Sequence, residues 1–462
     1  MTLSAASLSR LEAILGPDRV RSDSATLVSY GVEGVLPSAV AQPASAPEVA
    51  EVVRFAAENQ LALISCGGRT KLCMGMPPHS YDLALDLTHL HRIVHYDPGD
   101  LTISVEAGAP LADVDSALAG HGQFLPLGPP FSAGATVGGA IASGVDSPLR
   151  QLYGTARDFL IGAEFVTGTG APAKSGGRVV KNVAGYDLQK LLIGSLGTLA
   201  VITCVNFKTF PRPPQRRSFA ACFTDDQGAL DLRRRIAASP LSPSMLEILS
   251  PEAARLLASS KPAGSGHGPA VGFRAGSWTL CVAFEGSPEV CARYARDLGR
   301  LAEEARAADI HLLGEKDSSA LQEAVGRAAS VFLSASPATV IFKVSLLPGK
   351  FGTVFAKLGD IARRASLSWA LLARGSGAVY FTLLVEGVDG QTIARLSRVA
   401  GEVFDLAIVQ DGHATIPWCP LEMKHLVSTW GPTRPDFALM RSLKNTFDPQ
   451  GILSPGRFVG GL

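Results

Sequence analysis

Charge is scarce in this 462-residue sequence, and neither sign is in excess. Charged residues make up 18% against about 25% in ordinary soluble domains, and 42 Lys and Arg stand against 41 Asp and Glu, a net charge of +1. Nucleic acid and anionic membrane surfaces are bound through a cationic surplus, so neither is expected as the main partner. Paired cysteines are lacking as well. The seven, at 66, 73, 204, 222, 281, 291 and 419, contain no C-x-x-C spacing. That excludes a zinc ribbon or an iron–sulfur cluster held by this chain and fits a reduced, cytoplasmic setting. No basic stretch followed by an apolar one opens the sequence, so no signal peptide is expected. The most apolar run, 191–207, is shorter than the about 20 residues of a membrane helix and is broken by Gly194 and Gly197. A buried strand is expected there, and no membrane span. Two phosphate-binding signatures are also missing, the G-x-x-x-x-G-K-[ST] loop and the G-x-G-x-x-G fingerprint.

Glycine and proline, in contrast, are abundant, at 48 and 30 residues. They follow no G-X-Y period and sit in a chain that is 47% hydrophobic, so collagen and disorder are both excluded. The length suggests two or three domains. Residues 1–40 read as a helical lead-in. Ser45 is then the N-cap of a helix with Pro47 and Glu48 in its first turn and Val49, Val52, Val53 and Ala56 on one face. Apolar strands are expected at 61–65, 83–87, 101–107, 159–167, 179–180 and 199–207, and a helix at 111–119. Pro211, Pro213 and Pro214 mark a linker.

Beyond the linker, strands near 217–223, 245–249, 278–285, 339–346, 367–373 and 378–385 are expected. They alternate with helices at 226–238, 251–259, 288–308, 319–329, 350–365 and 390–403. Residues 261–269 read as a mobile surface loop. The pattern predicts an α+β protein with one domain over 41–215, a second over 216–415 with a mixed or antiparallel sheet and helices on one face, and a C-terminal segment, 416–462.

Several glycines sit where chemistry could use them. Gly67-Gly68-Arg69-Thr70 follows a strand directly, and successive N–H groups in such a turn form an anion nest; a plain strand-ending turn is the alternative. A second cluster, Gly134-Ala135-Thr136-Val137-Gly138-Gly139 with Ser143-Gly144, lies some 65 residues on. It reads either as a glycine-rich core crossing or as a second backbone approach. Two such segments with few cations nearby suit a pyrophosphate held by amides and helix dipoles.

A third block, 175–203, carries VVKNVAGYDL and GSLGTLAVIT. With APEVAEVVRFA, SCGGRT, DLTHLHRIVHYDPGDLTISVEAGAPL, GATVGGAIASG, YGTARDFLIGAEFVTGTG and the closing FDPQGILSPGR, in this order, the chain resembles the vanillyl-alcohol-oxidase-type FAD-binding family, whose FAD domain is called PCMH-type. Within it the likeness is to FAD-binding subunits of bacterial glycolate oxidase complexes. It covers about 41–215 and returns at 447–457; between about 216 and 410 it is one of general character.

The resemblance implies a PCMH-type two-subdomain FAD-binding domain with an α/β cap domain. It implies FAD along Cys66, Gly67, Gly68, Arg69 and Thr70 and along Gly134, Ala135, Thr136, Val137, Gly138 and Gly139. Ser143 and Gly144 would lie near the flavin, and Val201 and Ile202 by the adenine. Arg457 would neutralise charge at the flavin or phosphates. Members that attach FAD covalently in the first loop carry His after the two glycines; Arg69 stands here, so non-covalent FAD is expected. Family members often have Asn where this chain has Ser454.

Oxidation of a 2-hydroxy acid needs a cation for the carboxylate and a group to take the hydroxyl proton. Lys343, Arg374 and His413 are the candidates; the alternative for Lys343 is an edge-strand lysine facing water. Arg157 and Asp158 are expected as a structural ion pair. His89, His91 and His95 have no Cys or acidic neighbour to complete a metal set, so no metal is expected. The expected activity is FAD-dependent oxidation of a small 2-hydroxy acid to a 2-oxo acid. The expected partners are a second FAD-binding subunit and an iron–sulfur subunit, with the complex cytoplasmic or peripheral to the inner face of the membrane. A stand-alone hydroxy-acid dehydrogenase, and an FAD subunit that relays electrons or supports a partner without its own turnover, remain alternatives.

Overall fold

The computed structural model describes residues 3–179, 185–260 and 272–462. The loop expected at 261–269, Val180 of the strand expected at 179–180, and residues 180–184 of the third block lie outside them.

The chain forms two compact units. The first comprises Met1–Asp146, Thr155–Arg212 and Thr433–Leu462; the second, Ser147–Gly154 and Pro213–Pro432. Among the described residues the first unit holds two larger sheets and one two-stranded sheet. One is built from β1 (Val20–Arg21), β2 (Ala39–Ala41), β3 (Leu63–Cys66) and β4 (Leu83–Asp86), in the order β1-β2-β4-β3, with β2, β4 and β3 parallel. The helix Ala46–Glu58 covers it. Ser45 caps that helix through the Glu48 N–H, and Val49, Val52, Val53 and Ala56 lie buried against Leu63, Leu83 and Leu85.

The other sheet uses β5 (Ile93–Asp97), β6 (Thr102–Glu106), β8 (Leu160–Thr167), β9 (Pro172–Gly176) and β10 (Ala200–Lys208), all antiparallel, in the order β5-β6-β10-β8-β9. Here β7 is Gln123–Phe124, which pairs with β11 (Phe210–Pro211), so Pro211 ends a strand rather than opening a linker. Strand β10 is the second half of the apolar run 191–207 and is buried as expected; the first half is turn instead of strand, because Gly194 and Gly197 take φ of 78° and 72°. A bulge between Ile202 and Cys204 shifts its alternation, so that Ile202, Val205 and Phe207 all pack against the helices Leu111–Ala119 and Val137–Ser143. Asp158 is not paired with Arg157. It closes a capping box on Thr155 at the start of the short helix Ala156–Phe159, because the first-turn N–H groups need an acceptor more than a surface arginine needs a partner.

The second unit holds one antiparallel sheet of eight strands. They are β12 (Gln215–Phe223), β13 (Met245–Leu249), β14 (Trp278–Gly286), β15 (Asp309–Leu313), β16 (Val340–Ser345), β17 (Ser368–Arg374), β18 (Ala378–Leu384) and β19 (His413–Trp418). Their order is β15-β12-β14-β13-β17-β18-β16-β19. One face is apolar, with Phe342, Val344, Leu371, Phe381, Leu246 and Ile248 packed against the helices Asp226–Ala238, Phe351–Arg364 and Gly390–Val409. Of the two strands not expected, β15 follows a helix that stops at Glu304, four residues before the expected end, and β19 forms the sheet edge. The expected helix at 319–329 is two, Glu315–Gly326 and Ala328–Ala335.

The C-terminal segment returns to the first unit. Leu453 lies parallel to Leu63, with the Leu63 N–H donating to Ile452 O and the Ser454 N–H donating to Leu63 O. The tail therefore extends the edge of the first sheet beside β3.

Candidate functional site

Strand β3 ends at Cys66 and releases the chain into a turn of glycine and polar residues. The N–H groups of Gly67, Gly68, Arg69 and Thr70 donate to no acceptor among the described residues. A run of unspent donors at the end of a strand is an anion nest. The glycines let the second loop come close: a Cβ on Gly68 would sit 1.6 Å from the Gly134 carbonyl oxygen, and one on Gly67 would sit 2.2 Å from Thr136 Oγ1. No side chain fits either gap.

These elements wall a cleft within the first unit. Of the residues expected at the cofactor, Cys66, Gly67, Gly68, Arg69, Thr70, Thr136, Gly139, Ser143 and Arg457 line it. Gly134, Ala135, Val137, Gly138, Gly144, Val201 and Ile202 do not. Gly134 supplies the carbonyl that Gly68 packs on. The Val137 and Gly138 N–H groups donate to Ala109 O and Ala107 O, so these amides tie the loop to the end of β6 rather than face the cleft. Gly144 backs onto Gly194, and Val201 and Ile202 are buried in the two cores. Sequence reasoning missed Ser65, Lys71, Leu72, Ala142, Leu196 and Gly197, which complete the lining. For Lys71 a signal existed, its position next to the glycine turn.

The cleft is also more cationic than expected, because Arg69, Lys71 and Arg457 all line it. Arg69, at φ 56°, lays its guanidinium 4.2 Å from the centre of the Tyr30 ring, and the Tyr30 hydroxyl donates to Asp86 at 2.6 Å. Arg457 is buried and donates to Leu72 O at 2.5 Å and Met74 O at 2.6 Å, so the tail holds the far end of the phosphate turn. Burial pulls its guanidinium below the usual arginine range and pushes the Tyr30 phenol, the Tyr81 phenol and the Cys66 thiol up. Burial likewise brings the Lys71 ammonium down to about 8. Ser454 has φ 45°, a left-handed conformation that Asn adopts more readily than Ser. Free amides, fixed cations and two loops too close for any Cβ make a donor set suited to the diphosphate of FAD.

The three candidate catalytic residues fall in the second unit, on one face of its sheet, opposite the apolar core. Lys343 pairs across with Tyr380 and Thr415, and Ser345, two residues on, pairs with His413. Leu372 pairs with Tyr380, and Arg374 with Glu247. Strand β16 lies between β18 and β19, so Lys343 is not on an edge. Arg374 ends β17, where its Nη1 lies 2.9 Å from Glu247 Oε1, the two side chains 8% and 1% exposed, and its guanidinium sits 5.2 Å from the Tyr380 ring centre. Tyr153, from Ser147–Gly154, donates to Glu285, which also accepts from Arg216 at 2.9 Å. Among the described residues no three His, Cys, Asp or Glu side chains stand together as metal ligands.

This constellation defines a flavoprotein, and comparison with known proteins says which kind. The FAD binding domain family matches residues 37–175, and the C-terminal domain of FAD linked oxidases matches 212–415 and 423–458. The chain belongs to the FAD-linked oxidases, and its cofactor is FAD. Over 455 residues, 97% of this chain and 95% of the relative, it is 25% identical to glycolate oxidase subunit GlcD of Bacillus subtilis (strain 168). Over 199 residues, 43% of this chain and 52% of the relative, it is 38% identical to glycolate oxidase subunit GlcE of Escherichia coli (strain K12). Its fold is the PCMH type: the solved structure of p-cresol methylhydroxylase with substrate bound matches 98% of this chain and 96% of that one, with a TM-score of 0.78 at 18% identity. No helix among the described residues is long and apolar enough to cross a membrane.

Proposed function

We propose that this chain is an FAD-dependent oxidoreductase that converts a small 2-hydroxy acid to the 2-oxo acid, working as one subunit of a glycolate oxidase-like complex. The observation that carries the reading is its alignment along 97% of its length with a glycolate oxidase subunit. A second FAD-binding subunit and an iron–sulfur subunit are the partners, and the complex is cytoplasmic or peripheral to the inner face of the membrane. The cysteine spacing supports this, because this chain has no C-x-x-C pair with which to hold a cluster itself.

Residues Gly67 to Lys71, Thr136, Gly139, Ser143 and Arg457 would hold FAD non-covalently, with Arg69 in place of an attaching His. FAD, when bound, takes up the hydride that leaves the substrate carbon. The chain's own residues would bind the carboxylate and remove the hydroxyl proton. Lys343 is the candidate cation, and His413 the candidate base at the same end of the sheet face. Arg374 is held by Glu247. That engagement favours a second reading, in which this FAD subunit relays electrons or supports a partner without turnover of its own.

Anaerobic addition of 2-hydroxy acids to the isolated protein separates the two. Bleaching of the flavin absorbance on the turnover timescale supports the first reading, and its slowing in Lys343→Met or His413→Asn assigns those residues. A flavin that substrate leaves unbleached both in the isolated protein and in a complex whose second FAD-binding subunit has been stripped of its flavin overturns the first reading and leaves the second.

A further inference from the structure

Lys71 is a buried ammonium without a counter-ion. It is 8% exposed, and its Nζ donates to Thr70 Oγ1 at 3.0 Å and to Pro130 O at 3.5 Å, both neutral acceptors. No carboxylate pairs with it among the described residues. Burying an unpaired charge is costly, and the chain avoids it elsewhere: Lys444, buried to a similar degree, is paired with Asp448. An ammonium has three donors, so one remains after Thr70 and Pro130 are served. Lys71 lines the same cleft as the unspent N–H groups of Gly67 to Thr70. The other two cations of the cleft have partners of their own, Arg69 the Tyr30 ring and Arg457 the carbonyls of Leu72 and Met74.

We propose that Lys71 is the countercharge of the FAD diphosphate, a buried cation set beside the unspent backbone amides of the turn. The proposal rests on the reading of this cleft as the FAD site. It makes cofactor affinity depend on pH. With Lys71 near 8 in the empty protein, an anion beside it raises that value, so binding takes up a proton above pH 8 and weakens as pH rises. Cys73, two residues on, is the titratable group that acts on Lys71; the other titratable and charged groups about the cleft, Arg69, Cys66, Tyr30, Tyr81, Arg457 and Glu33, act on one another. The arginines stay charged, and burial holds Cys66, Tyr30 and Tyr81 neutral over the useful range. Cys73 is the group to remove, by Cys73→Ser.

The test measures FAD affinity of the apoprotein by flavin fluorescence from pH 7 to 9.5, in a Cys73→Ser background. Affinity is expected to fall towards a limit of about tenfold per pH unit above 8. Lys71→Met should bind about 10–100-fold more weakly at pH 7, with no slope, as loss of a charged hydrogen bond implies. Lys71→Arg should bind tightly with a flat profile, because arginine does not titrate there. ADP, which carries the diphosphate without the flavin ring, should show the wild-type slope. A Lys71→Met profile identical to the wild type overturns the proposal, as does ADP binding that is independent of pH or too weak to detect where FAD shows the slope. Ser143→Trp, which fills the cleft from its wall, tests the underlying reading: a folded Ser143→Trp protein that still binds FAD at wild-type strength means the cofactor lies elsewhere.

Discussion

Lys444 and Asp448, one turn apart on the last helix, place Nζ 2.6 Å from Oδ2 with both side chains buried. The carboxylate also accepts the N–H groups of Ile452 at 3.1 Å and Leu453 at 2.8 Å, and the ammonium also donates to Thr198 O at 2.8 Å and Leu453 O at 2.9 Å. One ion pair thus joins the helix end, the tail strand beside β3, and the turn that carries Gly197 to the cleft. Asp448→Ala strands a buried charge and should cost about 3–5 kcal/mol in denaturant unfolding. The double variant with Lys444→Met should lose less than Asp448→Ala alone; equal losses would mean that the pair is not coupled.

The glycines of the cleft and those of the surface should respond in opposite ways. Gly68→Ala puts a methyl against the Gly134 carbonyl, so FAD binding should be lost or weakened at least tenfold, as read by flavin release on gel filtration. Gly299→Ala, in the helix Pro288–Glu304 with nothing within 4 Å of its new Cβ, should stabilise the protein by about 0.5–1 kcal/mol.

Arg374→Met leaves Glu247 buried without its partner and should lower stability by about 3–5 kcal/mol, with Glu247→Leu restoring most of it. Thermal unfolding alongside flavin reduction decides what the arginine does. A variant that is as stable as the wild type but no longer reduced by substrate would make Arg374 a substrate ligand instead of half of a structural pair.

Thiol reactivity should follow burial. Cys73 is exposed, whereas burial pushes the thiols of Cys66, Cys222, Cys281 and Cys291 up and that of Cys204 to about 12. A disulfide reagent at pH 8 should label Cys73 quickly in the native protein and the buried Cys66, Cys222, Cys281 and Cys291 only on unfolding. Cys73→Ser should abolish the fast phase.

Much of this architecture is legible in local pattern. The Ser45 cap, the β10 run and the strands of the second unit appear because alternation and capping act over a few residues. Strands β15 and β19 did not, since HLL and ATI are too short to outweigh the helical stretches beside them. Ser147–Gly154 belongs to the second unit through Tyr153 and Glu285, a pairing across 132 residues that leaves no local trace. In the cleft, the glycine turn could be read because close approach demands glycine. Lys71 offered only its place beside that turn, and a lysine there looks like any solvated one until the fold buries it.

The tail strand has a consequence for how the protein is made. Leu453 must lie along β3, and Arg457 must reach Leu72 and Met74, before the cleft has all its walls. The N-terminal sheet can form early in synthesis, but its cofactor seat stays open until residue 457 has left the ribosome. A chain cut before Leu453 would lack that wall, and cofactor binding would then report whether the two ends of the first unit have met.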